Sequence, residues 1–477
     1  MTQASDFAFR VELERGAGSL AKQLASYIRT CIIRGELSAG DRLPATRVLA
    51  RDLSLARGTV TEAIERLVSE GLLEGRPGAG TFVSDAANLS VTPKISLSHD
   101  AVFELLAQPN PDIDERRTCQ IDFRPCRPSV EAFPVQAWRR CLSLAATAPL
   151  ESDYGDPLGD YALRQTLCEY LRRARGLSVD PESVLITNGS VHAMHLLSQI
   201  YLASSSKVFF EDPGYPLARQ TFSLSGAEII ACPVDEDGLI VEALPETVAQ
   251  NSLVYVTPSH QFPTGSRLSL QRRHDLITWA TSNKAIIVED DYDGEYRYDV
   301  PPLAPLRTLS PNTVVYCGTF SKTLFPGLRI GFAIAPKPVI KAMASYRALS
   351  EYTANTQTQN ALKHFISHGH FERHILRMRR IYRKKRQRVV DCLQRANRPA
   401  KVTGLESGLN VLIEFDGDIS AENLQEFAAS EGILFQGLSR YFSSGATVSN
   451  SIVMGYAAPS LDEIEHGLDV LFRLLLR

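Results

Sequence analysis

Six short apolar runs, separated by segments of helical length, constrain the fold of this chain more than any other feature. They read VLIT, KVFFE, SLVYVT, AIIVED, TVVYCGT and IGFAIA. Strands that are covered on both faces of a parallel sheet appear as continuous apolar runs of this kind. The pattern predicts an α/β body with a mostly parallel sheet and helices on both faces. From about residue 350 it predicts long basic helices and a small α+β C-terminal subdomain.

Most of these runs end in polar residues and glycine. The ends read TNGS, EDPGY, TPSHQFPTG, EDDYDGEY and GTFSK. Ligands of open α/β sheets bind at the carboxyl ends of the strands. We therefore expect these segments to converge on one pocket.

At 477 residues the chain is longer than one ordinary core, so we expect at least two domains. No apolar run reaches membrane-spanning length and no signal-peptide pattern is present, which predicts a cytoplasmic protein without membrane contact. The eight cysteines lack CxxC spacing, so we expect reduced thiols and no metal site. A net charge of −3 means that any nucleic-acid-binding face must be local.

The sequence pattern of residues 18–85 predicts three helices and a β-hairpin wing. SLAKQLASYIRTCIIRG places apolar residues on one helical stripe, at Leu20, Leu24, Ile28, Ile32 and Ile33. ATRVLARDLSL and ARGTVTEAIERLVSEGLL follow with the spacing of a helix-turn-helix, and EGRPGAGTFV is a glycine-rich hairpin. From GELSAGDRLP to GTFV the segment resembles the GntR-type winged helix-turn-helix DNA-binding domain.

In such a domain the N-terminal end of the third helix enters the major groove. Arg57 and Thr59 begin that helix, and we predict that Arg57 reads a guanine edge. Arg47 is predicted to contact a phosphate or a base, and Thr61 and Arg76 to contact the backbone or the minor groove. Acidic residues are as frequent as basic ones nearby, so we expect modest affinity per head and dimeric binding.

Residues 86–118 lack sustained periodicity and contain prolines near a polar stretch, which predicts a linker. The expected organisation is a DNA-binding domain at 18–85, a linker at 86–118 and a ligand-binding body at 119–477.

The segment YCGTFSKTLFPGLRIGF resembles the cofactor-lysine region of aminotransferases. A partly desolvated lysine near another cation is deprotonated readily enough to form a Schiff base with an aldehyde, which makes Lys322 the candidate for the internal aldimine of pyridoxal 5'-phosphate. Arg329 offers a planar fork that suits the phosphate, and Thr319 and Ser321 add hydroxyls. For a Ser-Lys pair seen alone, a surface lysine after a strand is the commoner case.

AIIVEDDYDGEY places Asp290 at the end of a buried strand, where its carboxylate is predicted to face the ring nitrogen of the cofactor. Tyr292, on the same side of an extended chain, is predicted to reach the phenolic oxygen of the ring. The alternative is an acidic loop that binds a metal or faces water, and Lys322 downstream disfavours it.

LITNGSVHAM ends a strand and opens a helix, so the backbone amides at Gly189, Ser190 and Val191 are predicted to bind the cofactor phosphate. Tyr215 in EDPGYPLAR matches the aromatic residue that stacks on the ring in several aminotransferases. A packing tyrosine is the open alternative.

With YGDPLGDYALRQTLCEYLRRARGL and TPSHQFPTG, these segments resemble the MocR subfamily of GntR-type regulators from about residue 18 to 470. The resemblance implies a winged helix-turn-helix joined to a fold-type I aminotransferase-like body. It further implies a homodimer that binds operator DNA and a small amine or amino-acid effector.

Two segments depart from catalytic aminotransferases. Where many of these enzymes carry Asn-Pro-x-Gly, this chain has Phe262 before Pro263, and His260 or Gln261 is the candidate substitute for the asparagine. The strand SIVMGYA lacks the arginine that grips a substrate carboxylate. Arg219 and Arg440 resemble effector-binding arginines of MocR relatives, with surface salt bridges as the alternative.

Two classes of function follow from these residues. The first is a transcription regulator that senses an amino acid, an amine or the cofactor vitamer itself through aldimine chemistry. The second is an active pyridoxal-phosphate-dependent aminotransferase with an added DNA-binding head. Both departures slow transamination without preventing aldimine formation, so we favour the regulator with at most residual transamination.

Overall fold

The computed structural model describes residues 13–14, 18–85, 119–149, 152–298, 303–396, 400–415, 419–443 and 450–475. The chain divides into two compact units, residues 1–116 and 117–477. The expected linker at 86–118 lies outside the described residues.

The first unit contains three helices and a hairpin, as predicted. The elements are α1 (Leu20–Ile33), α2 (Thr46–Asp52), α3 (Arg57–Ser69), β1 (Leu73–Arg76) and β2 (Gly80–Val83), with β1 antiparallel to β2. Leu24, Ile28 and Ile32 of α1 are buried in the core of this unit. Ile33 is 57% exposed, so its assignment to the buried stripe was wrong. A residue directly after Ile32 is turned by about 100° from it and leaves the core face.

The second unit is built on an eight-stranded sheet of order β4-β11-β10-β9-β8-β5-β6-β7. The strands are β4 (Val184–Thr187), β5 (Lys207–Asp212), β6 (Glu228–Asp235), β7 (Gly238–Leu239), β8 (Leu253–Val256), β9 (Ile286–Asp291), β10 (Val314–Thr319) and β11 (Gly331–Ile334). Strands β5, β6, β8, β9 and β10 are parallel, whereas β11 is antiparallel to both of its neighbours. The six apolar runs all form strands of this sheet, so the predicted mostly parallel sheet is confirmed.

Helices cover both faces of the large sheet. They include α4 (Val135–Ala146), α5 (Tyr161–Arg175), α6 (Ser190–Tyr201), α7 (Pro216–Ser223), α8 (Leu270–Asn283), α9 (Leu306–Leu309), α10 (Lys337–Ser350) and α11 (Thr356–Ser367). Neighbouring side chains of β5 point to opposite faces: Phe210 joins a core with α6, and Phe209 joins a core with α8. The strands are continuous apolar runs because each face of the sheet has its own core.

The C-terminal part of this unit is a smaller α+β subdomain. Its elements are α12 (His370–Arg395), β12 (Ala400–Thr403), β13 (Asn410–Phe415), α13 (Ala421–Ser430), β14 (Ile433–Leu434), β15 (Gln436–Gly437), β16 (Ser451–Gly455) and α14 (Leu461–Leu474). A four-stranded sheet has the order β12-β13-β16-β15. The short strand β3 (Ile121–Asp122) pairs with β14, which ties the start of this unit to its C-terminal part.

Candidate functional sites

The carboxyl ends of β4, β10 and β9 and the start of β11 meet at one edge of the large sheet. Thr319, at the end of β10, pairs with Gly331 of β11, and Gly331 pairs with Thr187 at the end of β4. On the other side of β10, Cys317 pairs with Asp290 of β9. The sheet therefore brings together strand ends that lie far apart in the sequence.

Lys322 lies half-buried in the tight turn that follows β10. The Ser321 N–H donates to Thr319 Oγ1 at 3.2 Å, and the two hydroxyl oxygens are 3.0 Å apart. Burial raises the pKa of Asp290 and of Cys126, and the positive charge of Lys322 lowers both. Lys322 therefore lies close enough to Asp290 and Cys126 for its charge to act on both.

Asp290 is only 3% exposed and is left with one unused oxygen. Its Oδ2 accepts a hydrogen bond from the Tyr255 hydroxyl at 2.9 Å, whereas Oδ1 has no partner in the described part of the chain. Burial raises the pKa of Asp290 to about 7, although the Tyr255 hydrogen bond opposes this shift. A buried acceptor without a donor fits a protonated ring nitrogen, so the carboxylate suits a pyridine cofactor.

Tyr292 is buried, and its hydroxyl lies 2.9 Å from His260 Nδ1. The same nitrogen lies 3.0 Å from Asp293 Oδ2, so a carboxylate orients the imidazole that contacts the phenol. Gln261 instead donates its amide hydrogens to Glu211 Oε2 and to the carbonyls of Pro213 and Phe262. Of the two candidate substitutes for the missing asparagine, His260 is the one in contact with Tyr292.

The predicted phosphate-binding residues are adjacent. Helix α6 begins at Ser190 without a side-chain cap, so the N–H groups of its first turn, including that of Val191, lack helical acceptors. Gly189 precedes it at φ 104°, and a Cβ built there would lie 3.2 Å from Arg329 Nη2. A helix N-terminus next to a guanidinium fits a phosphate, and Gly189 lets the two approach.

Tyr215 precedes α7 and is half-buried. Its ring packs edge-on against Phe262, with ring centroids 5.8 Å apart. This contact places Tyr215 beside Phe262 and Tyr292, and its stacking on a cofactor ring stays a prediction.

Arg219 lies on α7 and bonds to the backbone of the turn formed by residues 438–443. Its Nη1 donates to the carbonyl of Tyr441 at 3.1 Å, and its Nη2 donates to the carbonyl of Phe442 at 3.2 Å. Arg440, in the same turn, is half-buried and also interacts with another residue. Effector binding by these two arginines stays a prediction, and Arg219 would have to release two carbonyls to perform it.

Three residues of this pocket carried no recognised signal in the sequence. Tyr255 bonds to Asp290 from the neighbouring strand β8. Cys126 and Asn410 are 284 residues apart, yet their Sγ and Oδ1 atoms are 3.6 Å apart. The alternation of SLVYVT could have placed Tyr255, whereas no local pattern connects Cys126 with Asn410.

A group of possible metal ligands lies on other elements. One ligand atom each from Cys141, His368 and His370 lies within 4.8 Å of the others. Arg373 contacts His370 Nδ1 at 3.0 Å. Burial lowers the pKa of His370, and the charges of Arg373 and Arg140 lower it further. Nearby cations oppose the binding of another cation, so we assign no metal to this group.

In the first unit, Arg47 and Arg57 are exposed and have no hydrogen-bond or ion-pair partner in the described residues. Thr59 is half-buried, and the Thr61 hydroxyl donates to the Arg57 carbonyl at 3.0 Å. Arg76 bonds to Glu74 at 2.8 Å and lies 4.6 Å over the Phe82 ring. Their DNA contacts stay predictions, with Arg47 and Arg57 the most available cations among the five.

Arg57→Ala is expected to weaken binding to specific DNA roughly 10- to 100-fold, because one base-reading arginine contributes about 1–3 kcal/mol. Fluorescence anisotropy with labelled DNA measures this effect. The control is Arg66→Ala on the same helix, because Arg66 pairs with Glu70 and lies away from the N-terminal end. Equal losses in both variants would contradict the assignment of Arg57 as a base reader.

Comparison with protein families defines the two units. Residues 20–83 match the model of bacterial regulatory proteins of the gntR family, and residues 127–471 match the model of aminotransferase class I and II. The protein is therefore of the class that joins a winged helix-turn-helix head to a fold-type I aminotransferase body.

The most similar proteins include regulators with both units. The chain is 34% identical over 462 residues to the probable rhizopine catabolism regulatory protein MocR of Rhizobium meliloti, covering 94% of this chain and 92% of that protein. It is 32% identical over 449 residues to the HTH-type pyridoxine biosynthesis transcriptional regulator PdxR of Corynebacterium glutamicum, covering 94% of each. The chain belongs to the MocR subfamily of GntR-type transcription regulators, which confirms the resemblance seen in the sequence.

Among solved structures, the body is similar to LysN, an α-aminoadipate aminotransferase of Thermus thermophilus complexed with N-(5'-phosphopyridoxyl)-L-leucine. The TM-score is 0.71 at 28% identity, covering 80% of this chain and 98% of that chain. The cofactor of the body is pyridoxal phosphate, as predicted from the sequence. In the described part of the chain no helix is long and apolar enough to cross a membrane.

Proposed function

We propose that this transcription regulator changes its DNA binding when a small primary amine or amino acid enters the pocket beside Lys322. The observation that carries the proposal is the unpartnered Oδ1 of Asp290, buried near Lys322, in a chain that also has a DNA-binding head. When bound, pyridoxal phosphate supplies an aldehyde that condenses with primary amines.

Different residues of the pocket would bind different parts of such a cofactor. Asp290 would keep a proton on the ring nitrogen of the cofactor, and Tyr292 with His260 would hold a proton at the phenolic oxygen of the cofactor. Lys322 would supply the protein amine that condenses with the cofactor aldehyde. An effector amine would compete with Lys322 for that aldehyde. A change in this competition is the proposed signal to the DNA-binding head.

The phosphate group is anchored separately from the ring. Ser190 and Val191 would offer backbone N–H groups, and Arg329 a guanidinium, while Thr319 and Ser321 add hydroxyls. An anchor of this kind holds the cofactor when the amine at its reactive end changes.

We also propose that the protein acts as a cytoplasmic homodimer with DNA-binding heads at 18–85, linkers at 86–118 and bodies at 119–477. Exposed apolar side chains of the body support the dimer, because Leu349 is 90% and Tyr154 69% exposed. The Tyr154 and Tyr352 rings lie 4.5 Å apart and form part of this surface. Sedimentation of the full chain tests the proposal, and a monomer at micromolar concentration would contradict it.

DNA-binding measurements test the sensing role. DNA sequences selected by the purified protein are titrated by anisotropy with the cofactor-free protein, with the cofactor-loaded protein, and with the loaded protein plus amines or amino acids. We expect the affinity to change several-fold in at least one of these comparisons. Identical affinities in all states would contradict sensing, and steady conversion of an amino acid to its keto acid would favour the aminotransferase alternative.

A further inference from the structure

Three buried side chains form a hydrogen-bonded series beside the predicted position of the cofactor ring. Asp293 Oδ2 lies 3.0 Å from His260 Nδ1, and the same nitrogen lies 2.9 Å from the Tyr292 hydroxyl. Asp293, His260 and Tyr292 are 1%, 3% and 7% exposed. A carboxylate buried this deeply is costly unless a donor satisfies it, and the imidazole of His260 is such a donor.

Glycines hold the imidazole of His260 in this orientation. Gly408 has a φ of +81°, and a Cβ built on it would overlap the His260 ring and Asp293 Oδ2. A Cβ built on Gly265 would lie 3.3 Å from His260 Nε2. The backbone of two separate segments therefore packs directly against the ring, which leaves little room for another rotamer.

The carboxylate of Asp293 determines which nitrogen of the imidazole carries a hydrogen. An ionised carboxylate can only accept hydrogen bonds, so its contact with His260 places a hydrogen on Nδ1. An imidazole is a stronger base than a carboxylate, so a proton shared between the two rests on nitrogen. Nδ1 therefore carries a hydrogen whether the imidazole is neutral or charged.

This hydrogen fixes the direction of the bond between His260 and Tyr292. A ring nitrogen that carries a hydrogen is a donor, so the Tyr292 oxygen is the acceptor in the 2.9 Å contact. The hydroxyl hydrogen of Tyr292 is then not used by His260 and can be donated to another group. Burial raises the pKa of Tyr292 well above its ordinary value, so the hydroxyl keeps that hydrogen.

We infer that Asp293 is a positioning residue for the cofactor. By holding a hydrogen on His260 Nδ1, it directs the hydroxyl hydrogen of Tyr292 to the phenolic oxygen of pyridoxal phosphate. The inference rests on the proposed function, in which Tyr292 contacts that oxygen. A donor at the phenolic oxygen stabilises the deprotonated form, so the bound cofactor loses its proton at a lower pH.

Asp293→Asn tests the inference through the pH dependence of the visible absorbance of the cofactor-loaded full chain. The amide offers hydrogens to the imidazole, which moves the ring hydrogen to Nε2 and lets Tyr292 donate to Nδ1 instead of the cofactor. We expect the midpoint of the titration to rise by about one pH unit or more, as loss of one hydrogen bond to a charged oxygen would.

The sign of the shift distinguishes positioning from a simple change of charge. Loss of the negative charge of Asp293 alone would favour the deprotonated cofactor and lower the midpoint. An unchanged or lower midpoint in Asp293→Asn would therefore overturn the inference.

Tyr292→Phe supplies the matched comparison. It removes the hydroxyl, so it should raise the midpoint at least as much as Asp293→Asn does. The double variant should show no further rise, because Asp293 acts through Tyr292. Additive rises would show an effect of Asp293 that does not pass through Tyr292, and would overturn the inference.

Other ionisable groups face this series and are the same in every variant. They are Cys126, Tyr255, Asp290, Lys322 and Tyr456. Burial raises the pKa of Asp290 to about 7, so this carboxyl also titrates in the range of the measurement. Differences between variants remove its contribution, because Asp290 is present in all of them.

Nitrogen-15 NMR of the histidine side chains observes the imidazole in the cofactor-free protein, without use of the cofactor spectrum. The His260 signal is the one that His260→Gln removes from those of the ten histidines. A hydrogen on Nδ1 is expected in the wild type. A His260 with its only ring hydrogen on Nε2 would overturn the inference, even if Asp293→Asn does not fold.

The DNA measurement separates this inference from the proposed function. The expected midpoint shifts without any change in DNA affinity on addition of amines would overturn the sensing role and leave the role of Asp293 intact. An unchanged midpoint in Tyr292→Phe would overturn the contact of Tyr292 with the cofactor and this inference with it. That result would leave the sensing of amines beside Lys322 in place.

Discussion

Lys322→Ala is expected to abolish the visible absorbance band that appears when pyridoxal phosphate is added to the protein. The band requires a covalent link between the cofactor aldehyde and a lysine amine, and Lys322 is the lysine that acts on Asp290. The same variant should lose any response of DNA affinity to amines that depends on this link. Absorbance spectra after removal of free cofactor measure the first effect, and anisotropy measures the second.

Lys337→Ala is the matched control. Lys337 is exposed, its Nζ lies 2.6 Å from Asp180, and exposed pairs of this kind contribute little to stability. This variant should keep the full band and the wild-type DNA response. A band that persists unchanged in Lys322→Ala would show that another lysine holds the cofactor.

Asp290→Asn is expected to weaken cofactor binding and to stabilise the cofactor-free protein at alkaline pH. The amide cannot offer a charge to the ring nitrogen, so affinity for pyridoxal phosphate should fall roughly 10- to 100-fold, the contribution of one charged hydrogen bond. The Tyr255 hydroxyl can still donate to the amide oxygen, so the local packing should be retained. Equilibrium titration of the cofactor-free proteins by absorbance measures the loss.

The gain in stability follows from the raised pKa of Asp290. Burial raises it from 3.8 to about 7, so the folded protein keeps a proton that the unfolded chain releases in this pH range. The free energy of unfolding of the cofactor-free protein should therefore fall as pH rises from about 4 to 7, by on the order of 4 kcal/mol at about 1.36 kcal/mol per unit. Asp290→Asn should remove this contribution, giving no difference near pH 4 and a more stable variant at pH 8.

Urea unfolding followed by tryptophan fluorescence measures this difference in the body alone, because Trp138 and Trp279 both lie there. Buried Glu211 and Glu289 also have pKa values raised to about 7 by burial, so the wild-type and the variant should share part of the pH dependence. The informative quantity is the difference between them. Identical curves at pH 8 would contradict the assignment of an ionisation cost to Asp290.

Asp290 thus links the stability of the protein to cofactor binding. A buried carboxylate with an unpaired oxygen is unfavourable in the cofactor-free fold and favourable once a cationic ring nitrogen lies against it. We expect the cofactor to raise the stability of the body more at pH 8 than at pH 5. Such a conflict between local stability and function is common at binding sites.

The sequence by itself determined the two units, six of the eight strands of the large sheet and the family. Apolar runs and helical stripes are local patterns, so each could be recognised without knowledge of its neighbours. Ile33 shows the limit of such a pattern. It follows Ile32 directly, so the helix rotates its side chain away from the core. Lys322 could be recognised as the candidate cofactor lysine from the residues next to it in the sequence, without knowledge of any tertiary contact.

Only the tertiary structure decided which groups have partners. It selected His260 over Gln261 as the contact of Tyr292, left Oδ1 of Asp290 without a donor among the described residues, and bonded Arg219 to the 438–443 turn. It also brought Val453 against Phe262. These contacts join segments separated by tens to hundreds of residues, and no local periodicity encodes them. The strength of a charge or hydrogen bond depends on burial and on the group opposite, both of which exist only after the chain has folded.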